Sequence, residues 1–161
     1  MAKKEESKKG RNVVIAIDGS DHAKYAFQWY IDNIRKEDDV VYLVHSVEMN
    51  DLGMSQLSTP LSYEPDVFAA MLSKEKDKYS KQLQQYARLL TETGISGQVK
   101  SAHASSPGEG IVKTAKEVEA NLIISGSRGL GTVRRTLLGS NSDYIIHHAN
   151  VPVIVCKLPQ K

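Results

Sequence analysis

The sequence has little cysteine, no long apolar run and almost no net charge. Its single cysteine, Cys156, excludes an intramolecular disulfide and is typical of a reducing compartment. No apolar run approaches the roughly 20 residues that cross a bilayer, so we expect no membrane partner. A net charge of +2 is too small to indicate nucleic-acid binding. We therefore expect a cytoplasmic protein with neither membrane nor nucleic acid as a partner.

The amino-terminal segment also lacks the apolar stretch of a secretory signal. Over residues 1–11, lysines and Arg11 alternate with glutamates, a pattern typical of a solvated segment. We predict a flexible charged tail there and a single folded domain over residues 12–158. A chain of 161 residues is long enough for one domain with a sizeable core.

Short β-branched runs alternate with helical patterns along the rest of the chain. Strands are predicted over residues 13–17, 40–47, 98–103, 122–125 and 151–156. Four helices are predicted: one capped by Ser20 or Asp21 and ending at about 34, and others from 66 to 93, from 106 to 118 and from 140 to 148. A long loop is predicted over 48–66. This alternation demands right-handed crossovers, which predicts a three-layer α/β/α fold with a five-stranded parallel sheet.

Two serines stand where helices are predicted to begin. Ser106 precedes Pro107 and Glu109, which is a capping-box pattern with proline in the first turn. Ser140 and Asp143 repeat the box before the last helix. We therefore expect both serine side chains to accept backbone hydrogen bonds.

A loop rich in glycine and arginine follows the fourth strand and ends where the last helix begins. Backbone amides, cations and a helix start are the parts of a phosphate-binding site. The loop is not a Walker loop, because Thr132 stands where the lysine is required. It is not a dinucleotide fingerprint, because Arg134 replaces the third glycine. Arg134 and Arg135 could bind phosphates or face solvent or a partner protein.

The spacing Gly126-x2-Gly129-x9-Gly139-Ser140 resembles the nucleotide-binding signature of the universal stress protein family. Further matching segments flank it in the family's order: VVIAIDGS, LVHSV, SPGEGIVKTA and VPVIVCK. The resemblance implies an ATP-binding domain that is Rossmann-like and similar to adenine nucleotide alpha hydrolases. It also implies a parallel sheet with the strand order 3-2-1-4-5.

The same resemblance assigns residues to the base and ribose end of the nucleotide. It implies that Asp18 lies at the ribose, near the adenine. Ala16 and Ser46 match positions that line the adenine pocket. Ser125 and Gly126 would pass under the ribose and the phosphates.

For the phosphates, the resemblance implies a loop and a helix start. Arg128 and Gly129 would lie in the phosphate loop. Backbone amides and hydroxyls at the start of the last helix would bind the phosphate oxygens, and their positions are Gly139, Ser140, Asn141 and Ser142.

The residues give less support to catalysis. Hydrolysis of ATP usually needs a metal ion held by carboxylates, and Asp18 is the one carboxylate reasonably placed. Its role could be ribose binding or metal binding, so we assign no catalytic residue and no metal site. His45, His103 and the adjacent pair at 147–148 are expected to be structural, and Cys156 is expected to be an inert thiol.

We expect a nucleotide-dependent switch or stress-response regulator that binds ATP, with or without Mg²⁺, and acts through protein partners. Hydrolysis would be slow at most. Two alternatives remain open, a Mg²⁺-dependent ATPase and an interaction protein that binds AMP or cyclic AMP. The last predicted strand, Val151–Cys156, is apolar, and the resemblance implies that it pairs with the same strand of a second subunit in a homodimer.

Overall fold

The computed structural model of the protein describes residues 10–48, 65–127 and 138–159, with every side chain in those ranges except those at 47, 48, 65–72 and 75. In this part of the chain, five strands alternate with four helices. The strands are β1 Asn12–Ile17, β2 Val40–Glu48, β3 Gly97–Ala104, β4 Leu122–Ser127 and β5 Val153–Lys157. The helices are α1 Asp21–Asn33, α2 Pro65–Glu92, α3 Pro107–Glu117 and α4 Ser140–His148.

All five strands lie in one parallel sheet with the order β3-β2-β1-β4-β5. The predicted fold class and strand order are therefore confirmed. Ile15, in the middle of β1, is paired with Leu43 on one side and Ile124 on the other. Because every strand runs in the same direction, all five carboxyl ends lie at one edge of the sheet, where α/β proteins bind their ligands.

The strand β1 shows how the core divides into two layers. Val13, Ile15 and Ile17 pack with α1 and α2 on one face of the sheet. Val14 and Ala16 pack with α3 and α4 on the other face. A strand buried on both faces must be apolar throughout, which explains the continuous run of small and branched residues.

Two of the predicted helix caps are present. The Ser20 hydroxyl accepts a hydrogen bond from the Ala23 amide at 3.2 Å, which confirms Ser20 as the cap of α1. The Ser106 hydroxyl accepts one from the Glu109 amide at 3.3 Å at the start of α3. These bonds fix where each helix begins relative to the end of the preceding strand.

The predicted cap of α4 is wrong by one residue. Gly139 is the N-cap, with an extended backbone (φ −62°, ψ 147°), and no side chain in the described part of the chain caps this helix. The first helical bond runs from the Asp143 amide to the Gly139 carbonyl at 2.9 Å. Ser140 is therefore already in the first turn, where its hydroxyl cannot fold back onto the amides as a cap would.

Several element bounds also differ from the predicted ones. β5 begins at Val153, because Pro152 has no amide hydrogen to give to a ladder, although its carbonyl accepts from Ile123 at 3.0 Å. β4 continues to Ser127, two residues beyond its predicted end. Gly94 adopts a left-handed φ of +61° just after α2, as a helix stop requires.

At the amino-terminal edge of the sheet, Arg11 is paired with the buried Asp39. The guanidinium donates to both carboxylate oxygens, at 2.8 and 2.7 Å, and Asp39 is only 3% exposed. Residues 1–9 of the predicted tail and residues 49–64 of the predicted loop lie outside the described residues. Among the helices that are described, none is long and apolar enough to cross a membrane.

Candidate functional site

The turn between β1 and α1 places a carboxylate at the carboxyl edge of the sheet. Asp18 follows the last residue of β1 and is exposed. Its Oδ1 accepts a hydrogen bond from the Ser20 amide at 2.9 Å. Gly19 has a left-handed φ of +80°, which a residue with a side chain would adopt only with strain. The carboxylate is thus held in a defined turn at the centre of the sheet, where β1 lies between β2 and β4.

Beside this turn, the end of β4 packs directly onto the start of α1. A Cβ atom at Gly126 would stand 2.5 Å from the His22 carbonyl oxygen and 3.1 Å from the Ala23 amide nitrogen. Only glycine allows the two main chains to approach so closely. Gly126 therefore brings the β4 end and the Asp18 turn together, as the predicted site requires.

The third component is the start of α4. Ser140, Asn141 and Ser142 occupy its first turn, and no side-chain cap is present among the described residues. A Cβ atom at Gly139 would meet no described residue within 4 Å, so the described part of the protein leaves the main chain open here. The first amides of a helix have no partner within the helix, and the helix dipole is positive at this end. This arrangement is suited to binding an anion.

The side chains of two of these residues are already used within the protein. The Ser142 hydroxyl donates to the Gly126 carbonyl at 3.3 Å and lies 3.4 Å from the Ser125 hydroxyl. Ser125 and Ser142 are 5% and 3% exposed. Asn141 Oδ1 accepts from the amide of Gly108 in α3 at 3.3 Å. These contacts fasten α4 to β4 and α3, so Asn141 and Ser142 would offer a ligand their backbone amides.

Ala16 and Ser46 lie on the α3 side of the sheet. Ala16 is 8% exposed and belongs to the core layer that includes Ala102 and Ile111. The Ser46 hydroxyl is buried and has no hydrogen-bond partner among the described residues. It lies directly beneath Gly110, where any Cβ atom would collide with it. Small residues thus line this side of the site.

The remaining predicted ligands, Arg128 and Gly129, lie outside the described residues, and so do Arg134 and Arg135. Their assignments stay predictions. Within the described ranges, no group of three histidine, cysteine, aspartate or glutamate side chains is arranged to hold a metal ion.

On the α2 side of the sheet, the structure brings up residues that the sequence patterns did not single out as site residues. The Tyr79 ring contacts His45 edge-on, with ring centroids 5.1 Å apart. Burial lowers the pKa of His45, and the nearby carboxylate of Asp18 only partly opposes that shift. Tyr86 and Gln82 contact Gly19 in the Asp18 turn. The signal in the sequence was that Tyr79 and Tyr86 are seven residues apart and so lie on one face of α2.

The histidine pair at the end of α4 contacts neighbouring side chains of the same helix, and the cysteine of β5 is buried. His148 stacks on Tyr144 with ring centroids 3.9 Å apart, and His147 lies 3.6 Å from Asp143. Cys156 is buried, and burial raises the pKa of its thiol, which disfavours the reactive thiolate.

Residues 10–157 match the sequence profile of the universal stress protein family. A putative universal stress protein of Staphylococcus epidermidis is 30% identical over 149 residues, which cover 91% of this chain and 84% of that protein. A universal stress protein of Arabidopsis thaliana, solved with AMP bound, superimposes with a TM-score of 0.64 at 22% identity and covers 92% of each chain. A further universal stress protein, solved in complex with cAMP, superimposes with a TM-score of 0.56 at 18% identity. The match covers 94% of this chain and 99% of that protein.

Proposed function

The chain belongs to the universal stress protein family, and from this membership and the geometry above we propose that it binds an adenine nucleotide at the carboxyl edge of its sheet. Binding would make it a nucleotide-dependent switch or stress-response regulator that acts through protein partners. Hydrolysis would be slow at most.

The observation that carries the proposal is the open start of α4. Ser140, Asn141 and Ser142 present first-turn amides that no described side chain caps, and no described residue lies within 4 Å of a Cβ atom at Gly139. A phosphate group would supply the acceptors that these amides lack, and the helix dipole would favour its charge. The starts of α1 and α3 differ from it, since both are capped by serine side chains.

The base and ribose would lie towards β1 and β2. Asp18 would accept hydrogen bonds from the ribose hydroxyls, and a ribose role needs no metal ligands beside it. Ala16 and the chain around Ser46 would form the base pocket under α3. In this arrangement Gly126 and Ser125 would pass beneath the sugar, because β4 is the neighbour of β1.

The nucleotide bound at this site would be either ATP or an adenine monophosphate. The glycine signature favours ATP, with or without Mg²⁺. The relatives solved with AMP and with cAMP favour a second candidate, an interaction protein that binds a monophosphate. The purified protein should be denatured and any released nucleotide identified by mass. Release of ATP supports the switch, release of AMP or cAMP supports the second candidate, and a protein that neither carries nor binds any adenine nucleotide contradicts both.

A switch also requires that the nucleotide change the protein. We expect ATP to increase protection from hydrogen exchange across residues 126–142, since phosphate contacts would fix this segment. Unchanged protection in that segment at saturating ATP would contradict the switch, even if binding is confirmed.

A Mg²⁺-dependent ATPase would behave differently. Its turnover with Mg²⁺ would approach the ~10 s⁻¹ typical of enzymes and would vanish in Asp18→Ala. We expect far slower turnover, because one carboxylate does not hold a metal ion and position a water molecule at the same time.

We further propose a homodimer through the edge strand. β5 is at the edge of the sheet, and its residues 153–155 are only half-buried. An apolar edge of this kind pairs readily with another strand. Val155→Lys should convert a dimer to a monomer in sedimentation at micromolar concentration, whereas Lys24→Ala on the exposed face of α1 should leave the dimer intact. A wild-type protein that sediments as a monomer would contradict this proposal.

A further inference from the structure

The turn that carries Asp18 is covered by α2. Gly19 faces two side chains of this helix, Gln82 and Tyr86. A Cβ atom at Gly19 would collide with Gln82 Nε2 and would stand 3.6 Å from the Tyr86 hydroxyl. The main chain of the turn is therefore in direct contact with α2, one residue away from the carboxylate assigned to the ribose.

Tyr86 makes this contact from a buried position. The residue is 8% exposed, and its hydroxyl is fully buried without a well-formed hydrogen bond among the described residues. Burial raises the pKa of Tyr86, while the Gln82 side chain and the Gly19 backbone partly oppose the shift. The hydroxyl is thus a neutral group close to two polar partners.

A buried hydroxyl that is not fully hydrogen-bonded costs free energy, and a phenylalanine would fill the same space without that cost. The Tyr86 hydroxyl is therefore not explained by packing. A small movement of the turn towards α2 would complete a hydrogen bond between the hydroxyl and the Gly19 backbone. Since Asp18 adjoins Gly19, the same movement would fix the direction of its carboxylate.

We infer that Tyr86, assisted by Gln82, is a positioning residue that holds the Asp18–Gly19 turn against α2 when the ribose of a nucleotide is bound. The inference rests on the proposed adenine-nucleotide site and deepens it. It makes α2 part of the binding site, although Tyr86 itself does not touch the ligand. The affinity for the ribose would then depend on the position of α2 relative to the Asp18–Gly19 turn.

The test compares ATP with 2′,3′-dideoxy-ATP, which lacks the ribose hydroxyls that Asp18 would bind. Tyr86→Phe should bind ATP about threefold to tenfold more weakly, the effect of one hydrogen bond, and should bind the dideoxy nucleotide as the wild type does. Its thermal midpoint should be unchanged or higher, because the lost hydroxyl was incompletely paired. A merely structural role would weaken the binding of both nucleotides equally or of neither.

Tyr30→Phe is the matched control. In the wild type the Tyr30 hydroxyl is also buried, but it donates a hydrogen bond to Asp39 at 2.8 Å at the opposite edge of the sheet. We expect this variant to be less stable and to bind both nucleotides normally. Gln82→Met is a second variant, which leaves every tyrosine in place. It should lose part of the preference for ATP over the dideoxy nucleotide.

The double variant Asp18→Ala/Tyr86→Phe separates positioning from direct contact. If Tyr86 acts only through Asp18, the double variant should bind ATP no more weakly than Asp18→Ala alone. Additive losses would overturn the inference, and so would full retention of the ATP preference in Tyr86→Phe. A wild-type protein that binds neither nucleotide would instead overturn the proposed function, and the inference with it.

Discussion

Gly126 in β4 lies against the main chain of His22 in α1, so closely that a Cβ atom would stand 2.5 Å from the His22 carbonyl oxygen. Both groups belong to the backbone, and neither can move aside as a side chain would. Gly126→Ala should therefore lower the free energy of unfolding by about 2 kcal/mol, measured by urea denaturation. A variant as stable as the wild type would show that β4 and α1 are not held at this distance.

Gly139 provides the contrast within the same glycine signature. A Cβ atom there would meet none of the described residues within 4 Å, and the φ of −62° at Gly139 suits any residue. Gly139→Ala should keep the stability of the wild type and bind ATP at least tenfold more weakly, because the methyl group would stand where phosphate approaches the α4 amides. Isothermal titration checks the binding, and undiminished affinity would contradict the placement of phosphate at this helix.

Asp39 makes the stability of the protein sensitive to acid. Burial alone would raise the pKa of this carboxyl, but hydrogen bonds from Arg11, the Lys36 amide and Tyr30 outweigh it and hold the pKa below its ordinary value. The stabilisation is therefore present above about pH 4, the unfolded value, and is lost as the pH falls through the depressed pKa. Arg11→Met should cost about 2 kcal/mol at pH 7, because it leaves a buried carboxylate with fewer donors.

Urea denaturation of the wild type and of Arg11→Met between about pH 3 and pH 7 tests this assignment. The difference between their free energies of unfolding should become smaller below about pH 4. Lys24→Ala is the control, since its 3.5 Å pair with Asp21 is exposed and should contribute less than about 0.5 kcal/mol. A difference between Arg11→Met and the wild type that is constant with pH would contradict a role through Asp39.

The two serines with capping patterns should respond differently to alanine. Ser106 accepts the Glu109 amide, so Ser106→Ala should cost about 1 kcal/mol of unfolding free energy. Ser140 is in the first turn of α4 and caps nothing, so Ser140→Ala should change stability by less than about 0.5 kcal/mol. Equal losses of unfolding free energy in the two variants would indicate that Ser140 does cap α4.

Glu119 lies two residues after the end of α3, in a left-handed conformation that favours glycine. Its φ is +50°, and the Ala120 amide bonds back to the Ala115 carbonyl at 2.9 Å, as in a Schellman motif. Glu119→Gly should raise the melting temperature, with a gain of about 0.5–1 kcal/mol from relieved strain. Glu117→Gly, inside the last turn of the same helix, should lower stability by a similar amount. A loss of stability in both variants would contradict strain at Glu119.

A strand or helix cap could be predicted from the sequence where it depends on residues that are close together in the chain. Strands β1 and β4 were predictable because buried parallel strands need continuous apolar runs. Ser20 and Ser106 were predictable as caps because a cap and its amide are three residues apart. The α4 cap was not, because Gly139 and Ser140 both suit the position and the packing of α4 on β4 and α3 decides between them.

The sequence by itself determined the alternation of strands and helices, and with it the parallel sheet and the edge where polar and small residues collect. It also specified a glycine-rich segment that is neither a Walker loop nor a dinucleotide fingerprint. Only the tertiary structure decided that Ser125 and Ser142 use their hydroxyls on each other and on Gly126, that Arg11 pairs with Asp39, and that Tyr86 reaches the Asp18 turn. Apart from the neighbours Ser125 and Gly126, these contacts join residues 16 to 67 positions apart. Their geometry depends on how the helices pack on the sheet, which no local pattern encodes.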